Sequence, residues 1–465
     1  MKRTAVINVV GLCESLLGPD TPHIEAFRSS GFLARIKPAF PAVTCTAQAT
    51  YLTGLSPAGH GIVANGWYDR ALSEVHFWKQ SNRLVQGEKL WENLKKADPS
   101  FTCAQLFWWY NMYSTVDWSI TPRPMYPADG RKVFDIYTWP YSVRTQIKRE
   151  LGEFPFHGFW GPAAGVDTPQ GRADSVSRWI AQAAQSIEKQ FSPTLHLVYL
   201  PHLDYNLQRF GPRSHTLSTD LRQIDELVGG LIGFFKQRGV QVVLLSEYGI
   251  SVVESPIHLN RTFRNKGWLA IKEEMGLELL DYGASKVFAV ADHQVAHVYC
   301  NDPQLIPAVR SLLEKHEGVE KVLDAEAKRA NGLDHTRSGD LIAVAQRGSW
   351  FTYYYWLEDS RAPDFGPTVD IHRKPGYDPV ELFLDPSVPL IKARIAWRLI
   401  QKKLGFRMLM DVIPLDATLV RGSHGRCPEE QNEWPVLLTS RTDLASGGAL
   451  EACAVFDLLR KHVKE

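Results

Sequence analysis

The sequence predicts an α/β fold, a three-layer sandwich of helices around a mainly parallel sheet. Three observations predict it. Apolar-rich runs at residues 4–10, 194–200 and 240–245 read as buried strands. Between them stand amphipathic helical patterns: Val176, Trp179, Ile180, Ala183 and Ile187 recur on one face, as do Leu221, Ile224, Leu227, Val228, Leu231, Ile232 and Phe235. At 465 residues and 44% hydrophobic content, the chain can also bury a large core. In a sheet of this kind chemistry gathers at the carboxyl ends of the strands.

In chain order, residues 4–10 form the first strand. The basic residues ahead of them suggest a leader, but the apolar run is short, Asn8 interrupts it and no small-x-small cleavage site follows. Thr21 then caps a helix with Pro22 at its first position, and Gly31 ends it. A strand leads towards Phe40. Thr44 precedes a small-residue helical tract at 45–53, a helix is expected at 90–96 and a strand at 101–107. The aromatic tract at 107–113 reads either as core or as a surface on which a flat group stacks. Residues 130–172, rich in Pro, Gly, Trp and Phe, read as an irregular insertion or lid. A helix at 173–191, a strand at 194–200, the 221–235 helix stopped by Gly239 and a strand at 240–245 follow. Residues 257–334 have an α+β texture and are expected as an inserted subdomain. The core then comprises 1–256 and 335–465, re-entered by an apolar strand at 338–345, with a helix at 391–404.

Lys and Arg number 52 and Asp and Glu 51, so overall charge implies neither a nucleic-acid polymer nor a membrane-seeking basic patch. A small molecule is the expected partner. The six cysteines lack CxxC spacing, which argues against a zinc ribbon or a disulfide framework and for reduced thiols in a cytoplasmic protein. No run approaches the roughly 20 apolar residues of a membrane span.

The chemistry centres on Thr44 and Asn65. A hydroxyl at a strand-to-helix turn sits where backbone N–H groups and the helix field favour negative charge, which suits attack on phosphorus. Asn65 could donate to a developing oxyanion. Helix capping by Thr44 and a turn at Asn65-Gly66 explain the same residues structurally.

The blocks around these residues resemble the nucleotide pyrophosphatase/phosphodiesterase branch of the alkaline phosphatase superfamily. Phe40, Pro41, Thr44, Thr53, Gly54, His60, Gly61, Ile62, Asn65, Tyr68 and Asp69 carry the likeness. It implies an alkaline-phosphatase-like sandwich, Thr44 as nucleophile and Asn65 as a phosphoryl-oxygen ligand. It also implies two divalent ions, usually zinc, held by Asp and His after several strands. Asp204 with Gly211-Pro212 matches one ligand block and His424 another, while Glu247 stands for an aspartate. Val10, Gln208 and Tyr248 stand where the family carries Asp, His and His. Valine cannot bind a cation, and glutamine and tyrosine are poor substitutes for imidazole at zinc. One ion on Asp204, Glu247 and His424 is therefore expected rather than two, with His202, Gln208, Asp370 and His372 as further candidates and magnesium or manganese as alternatives to zinc. Glu14 and His258 are further residues to which ligands could have moved, whereas His293 and His297 read as structural.

For substrate, Trp108 and Trp109 offer a leaving-group surface, and Arg373 and Lys374 could pair with phosphate. The leading expectation is a metal-dependent hydrolase of phosphodiester or pyrophosphate bonds that works through phosphothreonine on a small phosphorylated substrate, by resemblance a nucleotide. Two alternatives stand: a silent or repurposed member that binds a phosphorylated metabolite, and a phosphoryl transferase in a biosynthetic pathway.

Overall fold

The computed structural model describes residues 1–129, 131–166, 175–444 and 449–465. Its centre is the strand Thr4–Val9, buried at every position. A strand with no solvent-facing side chain needs cover on both faces. It pairs in parallel with Leu195–Leu200 on one side and Gln241–Leu245 on the other. The sheet has nine strands, in the order Ala449–Glu451, Phe32–Lys37, Val436–Thr439, Gln241–Leu245, Thr4–Val9, Leu195–Leu200, Cys103–Leu106, Trp118–Pro122, Ile136–Trp139. Only Val436–Thr439 and Ile136–Trp139 run against the rest.

Two helix groups supply the cover. Pro22–Ser29, Ser175–Phe191 and Leu217–Gln237 pack together, and Thr44–Thr53 and Leu90–Ala97 pack on Ala454–Lys464. Thr21 does precede the first helix, but its side chain caps nothing there. The Asp225 carboxylate instead accepts the His23 and Ile24 amides at 3.0 and 2.8 Å, joining that helix to Leu217–Gln237.

Two expectations change. The stretch read as irregular from residue 130 contains the edge strand Ile136–Trp139 and the helix Tyr141–Leu151. Residues 130 and 167–174, which include the expected start of the 173–191 helix, lie outside the described residues. The apolar run at 338–345 does not re-enter the main sheet. Its strand Leu341–Ala345 belongs to a four-stranded antiparallel sheet with Val287–Asp292, Val295–Cys300 and Val319–Leu323. That sheet therefore extends beyond residue 334, and its apolar core gathers residues as distant as Tyr68 and Val420.

Close backbone approach aligns the strand ends. A Cβ on Gly422 would stand 2.1 Å from the Leu207 carbonyl oxygen, and one on Gly249 would stand 1.9 Å from that of Glu433. Only glycine lets these segments meet, and that meeting brings Tyr248 and His424 beside the helix that carries Asp204. The small sheet contributes its hairpin turn at His293-Gln294, where the Gln294 amide donates to the His424 carbonyl at 2.8 Å.

Candidate active site

Thr44 is the first residue of the helix Thr44–Thr53, which follows Val43 in extended conformation. It is buried, yet it lines a cleft together with Asp204, Tyr248, His293 and His424. The Tyr248 hydroxyl shares a hydrogen bond with the Thr44 hydroxyl at 3.1 Å and donates to Asp204 Oδ1 at 3.2 Å. Gln208 Nε2 donates to Asp204 Oδ2 at 2.9 Å, and the Tyr377 hydroxyl donates to Gln208 Oε1 at 2.9 Å. The result is a continuous polar chain from Thr44 to Tyr377.

Glu247 lies beneath this chain, fully buried and outside the cleft lining. Its Oε1 accepts from Asn8 Nδ2 at 2.6 Å and from Gln48 Nε2, while its Oε2 is sealed without a partner. Burial pushes its carboxyl up to about 8, against the hydrogen bonds from Gln48 and Asn8. Burial likewise pushes Asp204 up to about 7, against the donations from Tyr248 and Gln208.

Asn65 does not line the cleft. Its Oδ1 accepts the Cys45 amide at 3.0 Å, and its Nδ2 donates to Asp292 Oδ1 at 3.1 Å. The same carboxylate accepts the Asn65 backbone amide at 2.7 Å and shares a 2.7 Å hydrogen bond with His293 Nδ1. The side chain expected to hold a phosphoryl oxygen is thus tied to the helix start and to a carboxylate.

His424 and His293 form an aromatic stack with two tyrosines. Tyr248 lies on His424 at 3.6 Å, His424 on His293 at 3.7 Å, and His293 on Tyr377 at 3.5 Å. Burial drives both imidazoles well below their ordinary range, so they are neutral. Trp78, Trp109, Phe159, Trp160, Tyr199 and Tyr205 supply the wall. Among the described residues, no lysine or arginine lines the cleft.

Several expected residues lie elsewhere. Trp108 is fully buried in the main core, so of the tryptophan pair only Trp109 faces the cleft. Lys374 is buried between Asp378 and Glu381, at 2.7 Å from each, and Arg373 is exposed beside Asp364 at 2.8 Å. Neither cation reaches the cleft to meet phosphate. In the same loop only Ile371 does so: the Asp370 amide donates to Glu381 at 3.0 Å, and His372 faces the Phe77 carbonyl at 3.4 Å. His202 and Asp204 occupy the helix His202–Phe210 rather than an extended segment, and His202 sits 3.7 Å from Asp220. Glu14 pairs with Arg28 and Arg35, and His258 with Thr352. His297 is structural as read, between the Val63 carbonyl and the Gly339 amide. His293 is not merely structural, because it forms part of the cleft wall. Asp292, Tyr377, Trp78 and Trp160 were also missed, although the Asp292-His293 pair between two apolar runs was a visible signal.

This donor set does not fit the expected divalent ion. Both Asp204 oxygens accept hydrogen bonds within the chain, Glu247 is sealed behind two amides, and the His424 ring lies flat against Tyr248. Among the described residues, no three His, Cys, Asp or Glu side chains converge as a metal site. Asp204, Glu247 and His424, expected to hold one ion, therefore do not present a common set of free donors, whether to zinc, magnesium or manganese.

A nine-stranded, mostly parallel sheet between two helix layers, with Thr44 opening a helix at its rim, defines an α/β fold class shared with solved pyrophosphatase/phosphodiesterase and phosphonoacetate hydrolase structures. Within it, the chain belongs to the type I phosphodiesterase / nucleotide pyrophosphatase family, whose model matches residues 4–378. It is similar to an uncharacterized pyrophosphatase/phosphodiesterase of Schizosaccharomyces pombe, at 24% identity over 46% of this chain and 37% of that protein. It is also similar to ectonucleotide pyrophosphatase/phosphodiesterase family member 3 of Bos taurus, at 25% identity over 49% of this chain and 22% of that protein. These matches thus span well under half the length of either relative. Among solved structures, an inactive variant of murine ectonucleotide pyrophosphatase/phosphodiesterase 5 in complex with AMP superposes with a TM-score of 0.58 at 14% identity, covering 100% of this chain and 95% of that one. Phosphonoacetate hydrolase from Sinorhizobium meliloti 1021 in complex with phosphonoformate gives 0.62 at 13% identity, covering 99% and 96%. At such identities the likeness carries the fold.

Proposed function

We propose that this chain is a repurposed member of its family. It holds a small organic ligand with a flat, weakly charged part in the Thr44 cleft, without the family's metal-borne phosphoryl chemistry. The observation that carries this reading is Tyr248, whose hydroxyl bridges Thr44 and Asp204 while its ring covers His424. A cation between a nucleophile and its ligands would acidify the hydroxyl and neutralise charge developing on phosphate. A phenol does neither.

The lining supports the same conclusion. A phosphate dianion would leave water for a cleft whose described lining holds no lysine, arginine or charged imidazole, which is costly. An aromatic group gains by entering it, since Trp78, Trp109 and Trp160 present apolar faces. AMP, held by the murine neighbour, joins a flat base to a phosphate. A ligand that keeps such a flat base on the tryptophans and lacks the phosphate fits this lining better.

The second reading, hydrolysis of a phosphodiester or pyrophosphate bond or transfer to an alcohol through phosphothreonine, is favoured by Thr44 opening its helix at the cleft. One experiment separates the two. Purified protein is assayed for bound metal, for hydrolysis of an aryl phosphodiester by wild type and Thr44→Ala, and for tryptophan-fluorescence titration with adenosine and with AMP. The expected result is substoichiometric metal, equal background rates in both proteins, and saturable adenosine binding that is tighter than that of AMP and unchanged by a chelator. Stoichiometric metal with chelator-sensitive, Thr44-dependent turnover would establish the second reading instead.

A further inference from the structure

Overall charge conceals a local feature. Residues 386–410 contain six Lys and Arg and no Asp or Glu. Their centre is the helix Ile391–Lys403, in which no residue is buried. Ile391 and Ile395 rest on the second core, and Arg394 and Arg398 are held by Asp411 on the inward side. The outward side is apolar. Ala393, Ala396, Trp397, Ile400 and Leu404 are all exposed, at spacings that align them on one stripe. Trp397 is 57% exposed, Leu404 67% and the following Phe406 65%. Exposed Lys392, Lys402, Lys403 and Arg407 stand along or just beyond this stripe.

A helix that turns its apolar stripe to solvent needs a covering. Two copies packed through this face would bring their like-charged lysines together, which argues against a second molecule of this chain. At about 1.5 Å per residue the helix is too short to span a bilayer, and among the described residues no helix is long and apolar enough to do so. An anionic lipid surface answers both features, because its interface accepts Trp, Ile, Leu and Phe while its headgroups attract the flanking cations.

We propose that the helix Ile391–Lys403 with Phe406 and Arg407 is a peripheral membrane-binding element, lying in the plane of an anionic lipid surface. The test is co-sedimentation of the full chain with phosphatidylcholine vesicles that contain phosphatidylglycerol, against phosphatidylcholine alone. Binding is expected to the anionic vesicles only and to weaken as salt rises. The triple variant Lys392→Glu, Lys402→Glu, Lys403→Glu should lower it by at least about a hundredfold. The double variant Trp397→Ser, Ile400→Ser should lose it while circular dichroism and the unfolding midpoint stay at wild-type values. Equal binding to both vesicle types, no binding to either, or binding untouched by these substitutions overturns the proposal. So does a lipid-free dimer in sedimentation equilibrium that the double variant dissociates, because the face would then belong to a second copy.

Discussion

Replacing Lys374 with methionine is expected to destabilise the protein by about 3–5 kcal/mol, because it strips the cation from two buried carboxylates. Lys374, Asp378 and Glu381 are each buried, and the ammonium lies 2.7 Å from a carboxylate oxygen of each partner. Burial alone would lower the lysine, but the two negative charges outweigh it and hold its ammonium above the ordinary range. Glu381 also accepts the Trp160 indole N–H at 2.5 Å and the Asp370 amide at 3.0 Å, so the same node fixes one wall of the cleft. Denaturant unfolding should show the loss. Arg373→Ala, next in sequence but exposed beside Asp364, should change stability by less than about 1 kcal/mol. Adding Asp378→Asn and Glu381→Gln to the methionine variant should restore part of the loss, since the uncompensated charges then go. A methionine variant as stable as wild type would show that the lysine is not the anchor described.

That contrast shows where sequence reading reached its limit. Residues 373 and 374 are both cationic and both have acids nearby in sequence. Only tertiary packing decides that one is sealed in and the other wet. Trp108 and Trp109 part for a backbone reason. Phe107 and Tyr110 adopt left-handed conformations, at φ 63° and 53°, so no regular alternation survives across the tract. His293 stands far in sequence from His424 and reaches it only through a hairpin of the small sheet. The expected strand ends, by contrast, were legible because buried strands carry their own apolar signature. Thr44, Asp204, Tyr248 and His424 do meet at one rim. The donor changes at Val10, Gln208 and Tyr248 were visible too. Not visible was that Asn8, Gln48 and Tyr248 would meet the remaining carboxylates with hydrogen bonds. The local basic stripe at 392–407 escaped for a simpler reason, since a net charge of +1 averages it away.

Those same carboxylates make the unfolding free energy a peaked function of pH, with its maximum near the ordinary histidine value of 6.5. His60, His297, His293 and His424 are all lowered by burial, His60 to about 3 and His297 to about 4. A histidine depressed in the folded state contributes stability above its unfolded value and loses it as pH falls through the folded one, so stability rises with pH up to about 6.5. Asp204 and Glu247 act in the opposite sense. Each is raised by burial, so its contribution is complete below the unfolded carboxyl value and drains away as pH rises through about 7 and about 8. Above about 6.5 the histidines are spent and the carboxyls alone set the slope, giving a fall on the order of 2–3 kcal/mol by pH 8. Glu247→Gln mimics the protonated acid and keeps an acceptor for Asn8 and Gln48. It should remove most of the fall between pH 6.5 and 8 and steepen the rise between about 4.5 and 6.5, where the raised Glu247 carboxyl otherwise opposes the histidines. Denaturation midpoints across that range in both proteins decide the matter, and a wild-type curve that stays level or rises towards pH 8 would mean that Glu247 is ionised in the folded protein.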